Sequence, residues 1–298
     1  MLDYYRMLIA DETRTSAYRN ALCEIVRPGD VVIDLGTGTG ILALFARELG
    51  ARHVFAIEKG NAADAAEYLV RQRGLADRIT VLHDDSRNVT LPQRGDVLVT
   101  ETLGMLAFDE GILGSVIDAR ARLLRDSATV IPQRIELLLA PIEDADAYAK
   151  VAWWNEPRHD LDLSPLQPFA ANTIHPRTIA IASYIAEPAI AISADLSTSF
   201  VTGRASFVAT RDATLHGFAG WFSATLSASA QITNAPGSGT HWSQAFLPLR
   251  KPIALRAGDA IVIDLACNDG ALWRWNGTAG AKSFDQSTAF AAPRTLRR

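Results

Sequence analysis

Glu101 and Glu110 close the run Val97-Leu98-Val99-Thr100-Glu101-Thr102-Leu103-Gly104-Met105-Leu106-Ala107-Phe108-Asp109-Glu110, directly after an apolar stretch of strand character. Two carboxylates this close at a strand end suit one delocalised cation. A guanidinium makes the fullest use of them, because its planar fork donates five N–H bonds in fixed directions. Loop glutamates are usually only solvated, so the surrounding sequence decides their meaning. Upstream, Val31-Val32-Ile33-Asp34-Leu35-Gly36-Thr37-Gly38-Thr39-Gly40 places three glycines between a strand and a helix. There the backbone turns tightly and lets a ligand approach the helix N-terminus.

The glycine spacing is GxGxG, not the GxGxxG of dinucleotide enzymes, and Asp34 precedes it on the strand. Asp34 is placed to engage a ligand amino group. Glu58, ending the next strand, is placed to accept both hydroxyls of a ribose. This pattern resembles the class I S-adenosylmethionine-dependent methyltransferases. Similar turns also serve other nucleotide-binding α/β domains, or packing alone.

The elements that must position these residues alternate between strand and helix over the first 130 or so positions. Helices are expected over Ser16–Val26, Ile41–Leu49, Asn61–Arg73 and Gly111–Leu124, and strands over Val31–Leu35, His53–Glu58, Ile79–Leu82 and Asp96–Thr100. That alternation means a parallel sheet covered on both faces, a Rossmann-like α/β domain over residues 1–131. The character changes near Ile131-Pro132-Gln133-Arg134. Short β-rich runs follow at Ile135–Ala140, Ile179–Ile185, Ala189–Leu196, Ser206–Ala209, Leu215–Ser223, Ala245–Leu249 and Ala260–Ala266, the pattern of an antiparallel sandwich or β-barrel over 132–298. Trp273 and Trp275 alternate as on a strand. The tail after Gly280 reads as poorly ordered, ending in the basic Arg294, Arg297 and Arg298. Residues 145–176, with Trp153-Trp154, Pro157, Pro165 and Pro168, are too long and aromatic for a plain connection and read as a helical excursion or interaction arm.

Bulk properties narrow the function. Net charge is −4 and the pI about 5.9, so no basic field points to nucleic acid. Cys23 and Cys267 are too few for a disulfide framework or a cysteine metal site, and His53, His83, His159, His175 and His216 lack metal-ligand spacing. No metal is expected. No apolar run is long enough to span a bilayer, and the N-terminus has no signal-peptide pattern. The expected setting is cytoplasmic, without a membrane partner.

Four ordered motifs give a more specific reading. Asp11-Glu12-Thr13-Arg14-Thr15 with Tyr18-Arg19 resembles the DExRTxxYR helix of the protein arginine methyltransferases. Val31 to Glu58 resembles that family's cofactor motif, Thr100 to Glu110 its double-glutamate hairpin, and Thr240-His241-Trp242-Ser243-Gln244 its THW loop. The resemblance covers most of the chain. It implies S-adenosyl-L-methionine as cofactor, with S-adenosyl-L-homocysteine as product, and a homodimer whose arm caps a neighbouring subunit. It also implies roles. Arg14 would pair with the methionine carboxylate; Asp34, Gly36 and Gly38 would contact that moiety; Glu58 would hold the ribose. Ser115 would lie near the adenine, and Asp85 and Ser86 fall near the adenine-contacting acid. Glu101 and Glu110 would grip the substrate guanidinium beside Met105, Trp242 would buttress the pocket, and Asp11 with His241 would tie the first helix to the barrel.

The chemistry agrees independently. A guanidinium has a pKa above about 12 and delocalised lone pairs, so it is a poor nucleophile. Two carboxylates concentrate its positive charge on the non-reacting nitrogens, leaving the third to attack a sulfonium methyl in line; catalysis is then positioning and electrostatics. The proton leaves through Glu110 or through the Asp11–His241 pair, and both routes stay open. The chain also departs from the family. Thr102 replaces the aromatic that follows the first hairpin glutamate in asymmetrically dimethylating members, whereas the THW loop resembles that same group, so no single product is implied. The usual N-terminal YFxxY helix is absent or cut short, with only Tyr4-Tyr5 before Asp11. The acceptor is arginine in a protein or peptide, or alternatively free arginine or another small guanidino metabolite. A cofactor-binding regulatory protein without transfer activity is the remaining alternative.

Overall fold

The structure is a computed structural model that describes residues 2–268 and 272–290. Two helices precede the first strand: α1 (Leu2–Ala10) and α2 (Glu12–Ile25). The first sheet contains β1 (Val31–Leu35), β2 (His53–Glu58), β3 (Ile79–His83), β4 (Gly95–Thr100) and β5 (Leu124–Ile131), interleaved with α3 (Ile41–Glu48), α4 (Ala62–Gln72) and α5 (Ile112–Arg122). Its strands are parallel in the order β3-β2-β1-β4-β5. β1 is buried along its whole length, as a strand covered on both faces must be, and its sequence is apolar apart from Asp34. The order reverses between β1 and β4, and their carboxyl ends lie side by side, with Leu35 opposite Thr100. A crevice opens at such a switch point. Both sequence motifs, Gly36-Thr37-Gly38 after β1 and Glu101 after β4, therefore emerge at the same place.

The remainder is antiparallel. One sheet pairs β7 (His175–Arg177), β12 (Gln244–Leu255), β10 (Ala213–Thr225), β6 (Arg134–Ile142) and β8 (Ala189–Ala194) in that order, with β11 (Gln231–Thr233) on β10. The other orders β15 (Lys282–Ser287), β14 (Leu272–Ala279), β13 (Ala260–Asn268) and β9 (Phe200–Val208). The two sheets share one apolar core with the parallel sheet, including Phe218, Phe222 and Trp275. They meet where Gly203 passes against the Ala191 carbonyl, an approach a side chain would forbid, and where Gln286 Nε2 donates to Pro248 O. Between β6 and β8 lie α6 (Ala145–Ala152) and α7 (Gln167–Ala171), the helical excursion expected for this segment. Trp153, Leu161, Leu166 and Phe169 on it are exposed.

Four expectations fail. Residues 2–10 form a nine-residue helix where the N-terminal helix is expected to be absent or cut short; it buries no residue outright, so its sequence lacks the one-sided stripe that marks a core-facing helix. β5 was missed because Arg125, Asp126 and Ser127 break the alternation on an exposed stretch of edge strand. Ile179–Ile185 is not a strand. It crosses the end of β6, making a short 3₁₀ turn at Ile181–Ser183 and one bridge from Tyr184 to Ile142, and a short apolar run cannot by itself distinguish these outcomes. The chain beyond Gly280 is ordered at least through β15, whose Gln286 is buried and donates to Ala171 O and Pro248 O. Arg294, Arg297 and Arg298 lie outside the described residues.

Candidate functional site

The turn after β1 is built on backbone. Gly36, Gly38 and Gly40 all have positive φ (76°, 55° and 91°), and the Gly36 and Thr37 amides donate to Ile57 O on β2. A Cβ on Gly36 would come within 2.7 Å of the Thr102 methyl, and one on Gly38 within 2.7 Å of the Tyr5 ring. The two loops and α1 thus touch because those positions carry no side chain. Glu58 faces the turn. Its carboxylate accepts from Gly38 N at 2.9 Å and Gly60 N at 2.7 Å, which fixes it on the wall of a cavity of about 740 Å³. Gly36, Gly38, Asp85, Ser86 and Ser115 line the same cavity. Asp85 is gripped by Arg87 at the rim, a pairing that holds its carboxyl well below the usual range. Asp34 does not line the cavity. It lies wholly buried behind the turn, accepting from Thr37 Oγ1 at 2.5 Å with its other oxygen unpartnered, and burial pushes its carboxyl up to about 7.

Glu101 and Glu110 stand where this cavity meets a second one of about 290 Å³; both line both cavities, as do Tyr4 and Leu8. Met105, His241 and Trp242 line only the second. The Glu101 side chain is 6% exposed. Burial pushes its carboxyl up to about 7 against the pull of Arg14, and burial also raises Glu110. Arg14, in the first turn of α2, turns its guanidinium onto Glu101. Nε donates to Oε2 at 2.6 Å, Nη2 donates to the same oxygen, and Nη1 reaches Leu8 O at 3.2 Å. The sequence reading joined Arg14 to a cofactor carboxylate; here its partner is the first hairpin glutamate.

Asp11 ties α2 to the loop before β12. It caps α2 by accepting from Arg14 N at 2.9 Å, and its other oxygen accepts from His241 N and from His241 Nδ1, each at 2.8 Å. Burial opposes the Asp11 charge, but these hydrogen bonds prevail and hold its carboxyl below the usual range. Burial lowers the His241 pKa in spite of Asp11. The His241 ring lies 4.0 Å from that of Trp242, whose Nε1 donates to Leu103 O at 2.8 Å. The loop of β12 is therefore fixed to both α2 and the glutamate hairpin. Asp11→Ala removes the cap and the partner of His241 together, and the expected loss of stability is about 1–3 kcal/mol, read as a lower urea midpoint at unchanged slope.

Some lining residues were not foreseen. Tyr4 and Tyr5, edge to face at 5.5 Å, cover the junction of the cavities and the glycine turn; they were visible as a pair, but no helix had been assigned to carry them. Lys59 and Thr102 also line the larger cavity. No group of three or more His, Cys, Asp or Glu among the described residues could hold a metal ion, and no helix among them is long and apolar enough to cross a membrane.

Residues 133–277 match the arginine methyltransferase oligomerization subdomain, and residues 13–131 match the ribosomal protein L11 methyltransferase (PrmA) family. Protein arginine N-methyltransferase 6 of Danio rerio is 32% identical over 263 residues, covering 81% of this chain and 75% of that protein. The Xenopus laevis protein of the same name is 30% identical, covering 87% and 81%. A chain of the Trypanosoma brucei PRMT1 enzyme-prozyme heterotetrameric complex with AdoHcy shares the fold, with a TM-score of 0.83 at 24% identity, covering 95% of this chain and 96% of that one. The chain belongs to the protein arginine methyltransferase family.

Proposed function

We propose that this chain transfers methyl groups from S-adenosylmethionine to a guanidino nitrogen of arginine in a protein or peptide. The observation that carries the reading is the placement of Glu101 and Glu110 on the wall shared by two cavities, with the Arg14 guanidinium already seated on Glu101. A carboxylate that packs around one planar cation is shaped for another. The larger cavity fits the cofactor. Its turn has no side chains at Gly36 and Gly38, and the Glu58 carboxylate is oriented by backbone amides with lone pairs left for hydroxyls. When bound, S-adenosylmethionine supplies a methyl group activated by a positive sulfonium.

The chain's own residues do the rest. Glu101 and Glu110 orient the guanidinium and draw its charge toward the nitrogens they hold, so that the remaining one regains lone-pair character. Trp242 and Met105 wall the second cavity. Arg14 offsets the charge of Glu101 until an acceptor arrives. The two antiparallel sheets act as a barrel that presents the His241–Trp242 loop. The arm at 145–176, with Trp153 and Phe169 exposed, serves a homodimer contact.

Incubating the protein with labelled methyl donor and either arginine peptides or free arginine, then identifying the hydrolysed product by mass, tests this reading. Label is expected on peptide arginine, and the product mass also gives the number of methyls. Label confined to lysine or to carboxylates rejects the proposal; label on free arginine alone moves the acceptor to a small metabolite.

A further inference from the structure

The loop between Glu101 and Glu110 makes an uncommon turn. Ala107 adopts φ 63°, a conformation L residues seldom take, and its amide donates to Gly104 O. Something must hold that turn, and Asp109 is placed to do so. Its Oδ2 accepts from Leu106 N at 2.8 Å, closing the turn on itself, and its Oδ1 accepts from Trp273 Nε1 at 2.9 Å. Trp273 belongs to β14, in the antiparallel half of the molecule. It is buried, packs against Phe108 at 6.4 Å between ring centres, and donates its backbone N–H to Thr288 Oγ1. Gly104 lies so close that a Cβ there would meet Asp109 Cβ at 2.5 Å and Oδ2 at 2.6 Å. The turn leaves room for this carboxylate and for little else.

We infer that Asp109 is a positioning residue for methyl transfer, setting the separation of Glu101 and Glu110 by pinning the turn between them to Trp273. The inference rests on the function proposed above. Both of its partners are N–H donors, so a carboxylate satisfies the two at once, whereas an asparagine offers one acceptor and turns its NH₂ toward the other donor. Burial pushes the Asp109 carboxyl up to about 6, so above that pH the charged form meets both donors. Orientation of reacting groups is sensitive to shifts of an ångström or less, and a slack turn would let the two glutamates drift apart without touching the glycine turn after β1.

Asp109→Asn and Trp273→Phe in the full chain test this. Three readouts are needed: kcat on an arginine peptide, S-adenosylmethionine Kd by calorimetry, and amide hydrogen exchange over residues 101–110. Asp109→Asn is expected to lower kcat by about 10–100-fold with the cofactor Kd within about threefold of the parent. Exchange should quicken in 101–110 and stay unchanged in β1 to β3. Trp273→Phe, which keeps the packing on Phe108 and loses only the indole donor, should lower kcat by about 5–10-fold, and the double variant should be no slower than Asp109→Asn. If Asp109→Asn does not fold, Trp273→Phe decides by the same readouts. Unchanged kcat in the soluble variants, or a cofactor Kd that weakens in step with kcat, overturns the inference. If the unaltered protein methylates no arginine, the functional reading fails instead, and unchanged exchange in 101–110 would then refute the anchor as well.

Discussion

Glu101→Gln is expected to lower kcat by about 10³-fold while S-adenosylmethionine still binds within about threefold of the parent affinity. Glutamine matches the carboxylate in size but removes its charge and replaces one acceptor oxygen by an NH₂ group. A guanidinium carries only donors, so one face of the amide would oppose it. The groups on the glycine-turn side of the larger cavity are anchored independently: Glu58 by the Gly38 and Gly60 amides, and the turn by Ile57 O. Arg14 keeps an acceptor in the amide oxygen of this variant but loses its counter-charge, and its Nη1 bond to Leu8 O and the Asp11 cap of α2 also hold it in place. Calorimetry beside single-turnover transfer separates the two effects. A cofactor affinity that falls by the same factor as kcat would mean that Glu101 shapes the whole crevice instead of gripping the acceptor.

What the sequence disclosed about this crevice followed from local rules. Three glycines between an apolar strand and a helix, an acid ending the next strand and two glutamates after a later strand each announce themselves within a dozen residues. The structure brings these together because β1 and β4 are neighbours at the point where the strand order reverses. Their convergence could be argued from the βαβ alternation alone. What stayed hidden depends on distant partners. Arg14 and Glu101 are 87 positions apart, and nothing in either neighbourhood says that one will occupy the other. Asp109 is one more acid in an acidic turn until Trp273, 164 positions away, donates to it. Helix α1 escaped notice because it is held by contacts at the cavity mouth, with Tyr5 over Gly38, and not by a buried stripe. β15 escaped because Lys282-Ser283-Phe284-Asp285-Gln286-Ser287 is polar, and its place is secured by the ladder to β14 and by the buried amide of Gln286. Periodicity reports burial against a core; it is silent about edges, caps and polar ties.

The rate in acid should show the cost of burying Glu101. Glu101 has its pKa raised to about 7 and Glu110 is also raised, both chiefly by burial. A raised carboxyl pKa means that the protonated, neutral form grows as pH falls through that value. The charged form that grips a cation is therefore complete on the alkaline side and lost on the acid side. The guanidinium, with a pKa above about 12, stays charged across this range and contributes no step of its own. Accordingly kcat/KM is expected to fall about tenfold per pH unit below about 7, more steeply once Glu110 also takes up its proton. In kcat the acid limb should lie at lower pH, because a bound guanidinium favours the carboxylate form of its partner. Asp34, raised to about 7, and Asp109, raised to about 6, titrate in the same region. Asp34→Asn keeps the Thr37 hydrogen bond and supplies the control: it should leave the acid limb in place, since Asp34 faces neither cavity. A profile of kcat/KM that is flat from pH 5.5 to 8, or an acid limb that disappears with Asp34→Asn, would show that the hairpin glutamates are not the groups whose charge the reaction needs.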